Sequence, residues 1–207
     1  MRVIAGSARS IPLLTVPDDG TRPILDRLKK SLFSILDSAG LLADRHILDL
    51  YAGAGTLGIE ALSRGASHCL FAELRADCVE LLRKNLTKTR LADRAEIHRG
   101  EVATLLRRLA PREPEGPAAG RFDLILYDPP FVFSRERQSR HDVECEMAHA
   151  GRLLLTEGRL VLRCEKAVEP PSPAGLDLLR HWTDGPHALC FYAVATAETI
   201  HEGPGDQ

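Results

Sequence analysis

The sequence contains no apolar run approaching the roughly 20 residues that a bilayer-spanning helix needs, and its opening, MRVIAGSARS, lacks the apolar centre of a secretory signal. A cytoplasmic protein without a membrane partner is expected. Paired cysteines are also missing. Cys69, Cys78, Cys145, Cys164 and Cys190 are odd in number, lie far apart and form no CxxC pair, which argues against a disulfide framework and a zinc site. Buried free thiols and no resident metal are the expectation. Nor is there a large net charge: the formal value is −2 and the pI about 6.4, so the molecule as a whole does not advertise a polyanionic partner. At 207 residues the chain has room for one sizeable core and too little for two full domains.

What is present is ordinary globular composition, 44% hydrophobic and 27% charged. The charge is unevenly placed. Arg2, Arg9, Arg22, Arg27, Lys29 and Lys30 outnumber Asp18, Asp19 and Asp26 in the first thirty positions, whereas the tail TAETIHEGPGDQ is acidic. A local basic surface is one reading of this bias, and a solvated face is the other.

RVIAG and IPLLTV are β-like runs around the turn SARS and predict a hairpin extension over residues 1–20. Leu25, Leu28, Leu32, Ile35 and Leu36 mark one face of a helix that ends near Gly40. From His46 the pattern changes to strand-length apolar runs alternating with helical stretches: HILDLYA, CLFAE, AEIHRG, FDLILYD and GRLVLRC, the last preceded by a polar helical segment. Such alternation predicts an α/β domain, a mostly parallel sheet with helices on both faces, over residues 21–195. DLLRHW and HALCFYAVA, split by TDGP, predict a closing antiparallel hairpin, with a frayed tail over 196–207.

Two stretches carry chemistry. In DLYAGAGTLG, Gly53, Gly55 and Gly58 satisfy GxGxxG between a strand and a helix, where glycines allow a tight turn and close approach to a nucleotide-like ligand. The motif alone is weak. Asp49, at the strand end, would oppose a pyrophosphate but suits the cationic groups of S-adenosylmethionine, and Glu73, closing CLFAE, stands where such folds place an acid for the ribose hydroxyls. Tyr51, Ala52 and Leu74 flank these positions and complete the candidate cofactor site. Glu101 or the Val102 amide could meet the adenine edge, although Glu101 is equally well read as an acid favoured by a helix N-terminus. The plainer alternative makes Asp49 a turn cap and Glu73 a solvated strand end.

The second stretch is LYDPPF. An exocyclic amine is a poor nucleophile because its lone pair is delocalised into the base. Two acceptors, the Asp128 carboxylate and the Pro129 carbonyl, would hold its NH₂ group and favour pyramidalisation during in-line attack. Pro129 and Pro130 lock the turn and contribute no competing N–H, and Phe131 offers a face for a flipped base. The plainer alternative is a strand-ending Asp-Pro turn with a core Phe.

Through these stretches the chain resembles the RsmD family of bacterial small-subunit (16S) ribosomal RNA guanine-N2 methyltransferases. The likeness rests on RVIAG, TRPILDRLKKSLFSIL, LDLYAGAGTLGIEALSRGA, FAE, ILYDPPF and ALCFYA. It implies a class I S-adenosylmethionine-dependent, Rossmann-like methyltransferase fold, with a seven-stranded sheet whose last strand is antiparallel and a small N-terminal hairpin. It also implies S-adenosylmethionine as donor and a guanine of 16S rRNA, in the assembled or assembling small subunit, as acceptor; a monomer is expected. By position, Asp49, Gly53, Gly55 and Glu73 carry over to the cofactor site, and Asp128, Pro129, Pro130 and Phe131 to the catalytic one. Arg2, Arg9, Arg22, Arg27, Arg135 and Arg137 are candidates for RNA phosphates, each also readable as a solvated charge. The chain departs from the family pattern at Ile24, Glu101 and Arg163. The alternatives are a DNA adenine or cytosine or protein glutamine methylase, an NAD-dependent oxidoreductase, and an inactive RNA-binding factor.

Overall fold

The computed structural model describes residues 1–15, 26–110, 120–129 and 137–195. In chain order the elements are α1 (Asp26–Ser38), β1 (His46–Leu50), α2 (Thr56–Ser63), β2 (His68–Glu73), α3 (Ala76–Thr89), β3 (Ala95–Arg99), α4 (Val102–Leu109), β4 (Phe122–Tyr127), α5 (Arg137–Gly151), β5 (Leu154–Glu165), β6 (Leu176–Asp184) and β7 (His187–Val194). The strands form one seven-stranded sheet of order β3-β2-β1-β4-β5-β7-β6. Every pairing is parallel except those of β7, which runs antiparallel to both β5 and β6. This is the mostly parallel α/β architecture expected from the alternating runs.

The chain first steps outward from β1 through β2 to β3, then returns to the other side of β1 with β4 and continues to β5. The direction of winding therefore reverses between β1 and β4. Helices that follow these two strands leave on opposite sides, and a crevice opens at the carboxyl ends, where open sheets of this type bind ligands.

Alternation along the strands divides the core into two layers. Ile47, Phe71, Leu124, Leu126 and Val161 pack beneath α1, α2 and α3 with Leu32, Ile59 and Leu82. Leu48, Leu50, Leu70, Ile125, Leu160 and Leu162 pack beneath α4 and α5 with Leu105 and Met147. Burial on both faces is why the strands read as nearly continuous apolar runs. β5 starts at Leu154, ahead of GRLVLRC, because Phe122 already pairs with Leu154 before a register shift.

Antiparallel contacts join the first and thirteenth residues: Val3 N–H donates to the Ile11 carbonyl and Leu13 N–H to that of Met1, each at 3.0 Å. A buried polar knot fastens this segment to the body. The Glu60 carboxylate accepts from the Ile4 and Ala5 amides at 2.7 and 3.0 Å and from Arg64 Nε at 2.9 Å. Lys29 Nζ donates to the Arg2 carbonyl at 2.7 Å and lies 3.4 Å from Glu60. Lys29, grouped by sequence with the N-terminal bases, is fully buried and adds nothing to a basic surface. Burial outweighs the pull of Glu60 and holds its ammonium pKa below the ordinary value. The knot is tolerated because each charge is paired; deleting one partner of such a pair costs about 3–5 kcal/mol.

Four of the five cysteines are buried free thiols, whereas Cys145 is exposed on α5. No helix among the described residues is long and apolar enough to cross a membrane.

Candidate active site

The period-2 alternation decides which polar strand residues meet. Asp49 shares the face of Ile47, Glu73 that of Phe71, Asp128 follows Leu126 at the same parity, and Arg163 follows Val161. All four therefore belong to the face covered by α1, α2 and α3, on neighbouring strands β2, β1, β4 and β5. Three carboxylates and one guanidinium gather at the carboxyl ends beside the switch point.

Asp49 is 1% exposed. Its Oδ2 accepts the Gly58 amide of α2 at 2.9 Å, while Oδ1 is buried without a hydrogen-bond partner among the described residues. Burial pushes the Asp49 carboxyl up to about 8; Gly58 pulls it down, and the negative fields of Asp128 and Glu73 push it further up. A buried acceptor left unpaired costs about 1–3 kcal/mol. The residues thus fit a cationic donor group, which would satisfy Oδ1 and favour the anionic carboxylate.

Glu73, nearly buried, shapes the glycine loop. Its Oε2 accepts the Gly53 amide at 2.7 Å and its Oε1 the Arg75 amide at 2.8 Å. Each oxygen keeps a further lone-pair direction for a hydroxyl donor. The next residue, Leu74, is 59% exposed, an apolar face at the lip of the crevice. Ala52 prolongs the sheet ladder through its amide to the Ala72 carbonyl at 3.0 Å. Glu101 is the N-cap of α4 without a side-chain capping bond, and Val102 is the buried first residue of that helix.

The three glycines do different work. At Gly55 an added Cβ would lie 2.2 Å from Leu82 Cδ1, and at Gly58 2.3 Å from the Phe71 ring. Both serve the close seating of α2 against α3 and β2. At Gly53, with φ +56°, a Cβ would meet no atom of the described residues within 4 Å. Gly53 alone of the three presents bare backbone to open space.

Three residues outside the motifs hold the site in shape. Asn85 of α3 is fully buried; it accepts the Leu14 amide at 2.8 Å and donates to the carbonyls of Leu14 and Ala54, both at 2.9 Å. It thereby ties the N-terminal segment to the glycine loop. Glu146 of α5 accepts both the Tyr51 hydroxyl at 2.7 Å and the Tyr127 hydroxyl at 2.8 Å on one oxygen. The two rings meet edge to face at 5.6 Å. Tyr51 has φ +62°, a conformation unfavourable for an aromatic residue, and these contacts hold it. Burial and Glu146 raise the pKa values of both phenols, so they stay protonated donors. The third residue is Arg163, whose Nε donates to Asp128 Oδ1 at 2.6 Å.

In sequence, Asn85 and Glu146 carry a faint signal. Each is a polar residue in step with an apolar stripe, Asn85 with Cys78 and Leu82, Glu146 with Val143 and Met147. Arg163 stands out in sequence only as a departure from the family pattern.

Asp128 continues β4 by donating its own amide to the Leu50 carbonyl at 3.3 Å. Pro129 is buried behind it. Pro130 and Phe131 lie outside the described residues, as do Arg22 and Arg135, and Arg137 is the first residue of α5. Arg2, Arg9, Arg27 and Lys30 line one open groove together with Asp26. Within it, Arg27 already pairs with Asp184 of β6, which draws part of its charge away from an incoming phosphate.

A family model described as "Conserved hypothetical protein 95" matches residues 1–193. The chain is 31% identical over 193 residues to "Putative rRNA methyltransferase YlbH" of Bacillus subtilis, covering 93% of this chain and 98% of that one. It is 34% identical over 140 residues to "Ribosomal RNA small subunit methyltransferase D" of Haemophilus influenzae, covering 67% and 68% of the two chains. Among solved structures, "Putative methyltransferase yhhF" from Escherichia coli superposes with a TM-score of 0.71 at 28% identity, over 94% of this chain and 97% of that chain.

Proposed function

The chain belongs to the RsmD family of rRNA methyltransferases, and from that membership we propose that it methylates the exocyclic N2 amine of a guanine in small-subunit ribosomal RNA, with S-adenosylmethionine as donor. The observation that carries this reading is the pairing of a buried, unpartnered carboxylate oxygen on Asp49 with the Asp128 carboxylate on the same sheet face across the switch point. One carboxylate suits a cationic donor and the other an amine acceptor.

The bound donor would supply an electrophilic methyl group on a sulfonium. Asp49 would hold its cationic amino-acid end, Glu73 its ribose hydroxyls, and the bare Gly53 backbone would let it approach. Asp128 and the Pro129 carbonyl would accept hydrogen bonds from the two N–H groups of the acceptor amine, turning the nitrogen lone pair toward the methyl carbon. No strong base is needed, since the nitrogen becomes acidic once it has attacked. Arg2, Arg9 and Lys30, on their shared groove, would contact phosphates around the target nucleotide.

Two measurements test this. Labelled methyl groups are expected to pass from donor to small ribosomal subunits taken from a strain lacking the modification, and nucleoside digestion should place the label in N2-methylguanosine. Label in another nucleoside, or none with a folded enzyme that binds S-adenosylhomocysteine, would refute the acceptor. The donor site has its own test in pH. A carboxyl whose pKa is about 8 in the free protein is mostly protonated at neutrality, and a cationic ligand that needs the anion must expel that proton. Affinity for S-adenosylhomocysteine should therefore strengthen from about pH 6 to about pH 7.5, by up to about tenfold per pH unit, with proton release on binding. Titration calorimetry in buffers of different ionisation enthalpy reads both; a pH-independent affinity without proton release would remove Asp49 from the role.

A further inference from the structure

The register of β4 against β5 brings a basic side chain into the site. Tyr127 pairs with Leu162, so the following residues, Asp128 and Arg163, are neighbours on the same face. Arg163 Nε donates to Asp128 Oδ1 at 2.6 Å, and the two side chains are 10% and 16% exposed. No described residue donates a hydrogen bond to Asp128 Oδ2.

From this geometry, and resting on the amine chemistry proposed for Asp128, we infer that Arg163 is a positioning residue for methyl transfer: it fixes the carboxylate by one oxygen and leaves the other directed to the acceptor amine. A carboxylate on a short side chain rotates broadly about its last torsion. An acceptor that must meet one N–H while a neighbouring carbonyl meets the second cannot be left to rotate, because misplacement of reacting groups by about 1 Å costs about 100-fold in rate. A guanidinium suits the task. It is charged at every working pH, its donors are held in a rigid plane, and burial costs it less than it costs an ammonium.

Charge balance favours the same assignment. Asp49 and Glu73 share the face with Asp128, and Asp128 already contributes to the raised pKa of Asp49. Like-charged carboxylates at close range suppress one another's ionisation. Arg163 sets a positive charge against the third of them, at 2.6 Å from Asp128 Oδ1.

The test compares Arg163→Met and Arg163→Lys with wild type in the full chain, on small ribosomal subunits, alongside S-adenosylhomocysteine binding by calorimetry. Arg163→Met is expected to lower kcat by about 10- to 100-fold while leaving the dissociation constant for S-adenosylhomocysteine and the KM for subunits within about twofold of wild type. Arg163→Lys, which retains the charge, should recover several-fold of the lost kcat. Met at full kcat, Lys no better than Met, or parallel losses of kcat and cofactor affinity in both variants would each overturn the inference, the last by showing a merely structural ion pair. Wild-type activity on the subunits separates the two readings. An inactive wild type removes the proposed function and this inference with it, whereas an active wild type with an unimpaired Met variant removes this inference alone.

Discussion

Replacing Asp128 with alanine is expected to lower kcat for methyl transfer by about 1,000-fold while S-adenosylhomocysteine binds at neutral pH at least as tightly as to wild type. The loss of rate follows from removing one of only two acceptors that orient the amine, an interaction used in the transition state rather than in binding the donor. The unimpaired binding follows from electrostatics: the Asp128 charge helps to push the Asp49 carboxyl up to about 8, so its removal makes the Asp49 anion easier to form. An Asp128→Asn variant keeps one acceptor oxygen but offers Arg163 no charge, and should fall between alanine and wild type. Single-turnover transfer and calorimetry on the same preparation check both parts. Near-wild-type transfer by the alanine variant would end the proposed mechanism, and lost cofactor binding would reassign Asp128 to the donor site.

The second large effect is expected at Gly53. Gly53→Val should weaken S-adenosylhomocysteine binding by about 100-fold or more, a loss of about 3 kcal/mol or more, with only a modest drop in melting temperature. The backbone there has φ +56°, a region that costs a residue with a Cβ about 1–2 kcal/mol, but a Cβ there meets nothing within 4 Å among the described residues. Under the proposed function, the open space it enters is where the donor approaches the glycine loop. Gly58→Ala makes the contrast. Its Cβ would sit 2.3 Å from Phe71 and 2.7 Å from Cys69 Sγ, so the helix must shift, and stability should fall before binding is affected. Thermal unfolding paired with calorimetry distinguishes the two glycines; a Gly53→Val protein that binds normally would show that the ligand does not approach this loop.

Much of this site was legible because it is written in local patterns. Asp49, Glu73 and Asp128 each stand at or near the end of an apolar run of strand length, and glycines come after Asp49 and prolines after Asp128, so the positions and two of the turns announced themselves. The same locality explains what was missed. Lys29 and Glu60 look like ordinary charges on helices, yet their partners lie in the segment Arg2 to Ala5, 27 and 55 or 56 positions away for the backbone contacts. Asn85 reaches back 71 positions to Leu14 and 31 to Ala54. Glu146 joins α5 to Tyr51 in the turn after β1 and to Tyr127 at the end of β4. Nothing near these residues in the chain records such partners.

The sequence by itself determined the alternation of strands and helices, the two turns that carry the chemistry and, through its likeness to the RsmD family, the class of reaction. Burial on both faces imposes continuous apolar runs, and tight turns impose glycine and proline, so these features cannot be hidden. Only the tertiary structure decided that Asp49, Glu73, Asp128 and Arg163 share one face, that Gly53 faces open space while Gly55 and Gly58 serve packing, and that Arg163 grips Asp128. Those outcomes depend on the order and register of β2, β1, β4 and β5. Register is set by long-range pairing, and a shift of a single residue would have turned Arg163 to the opposite face of the sheet.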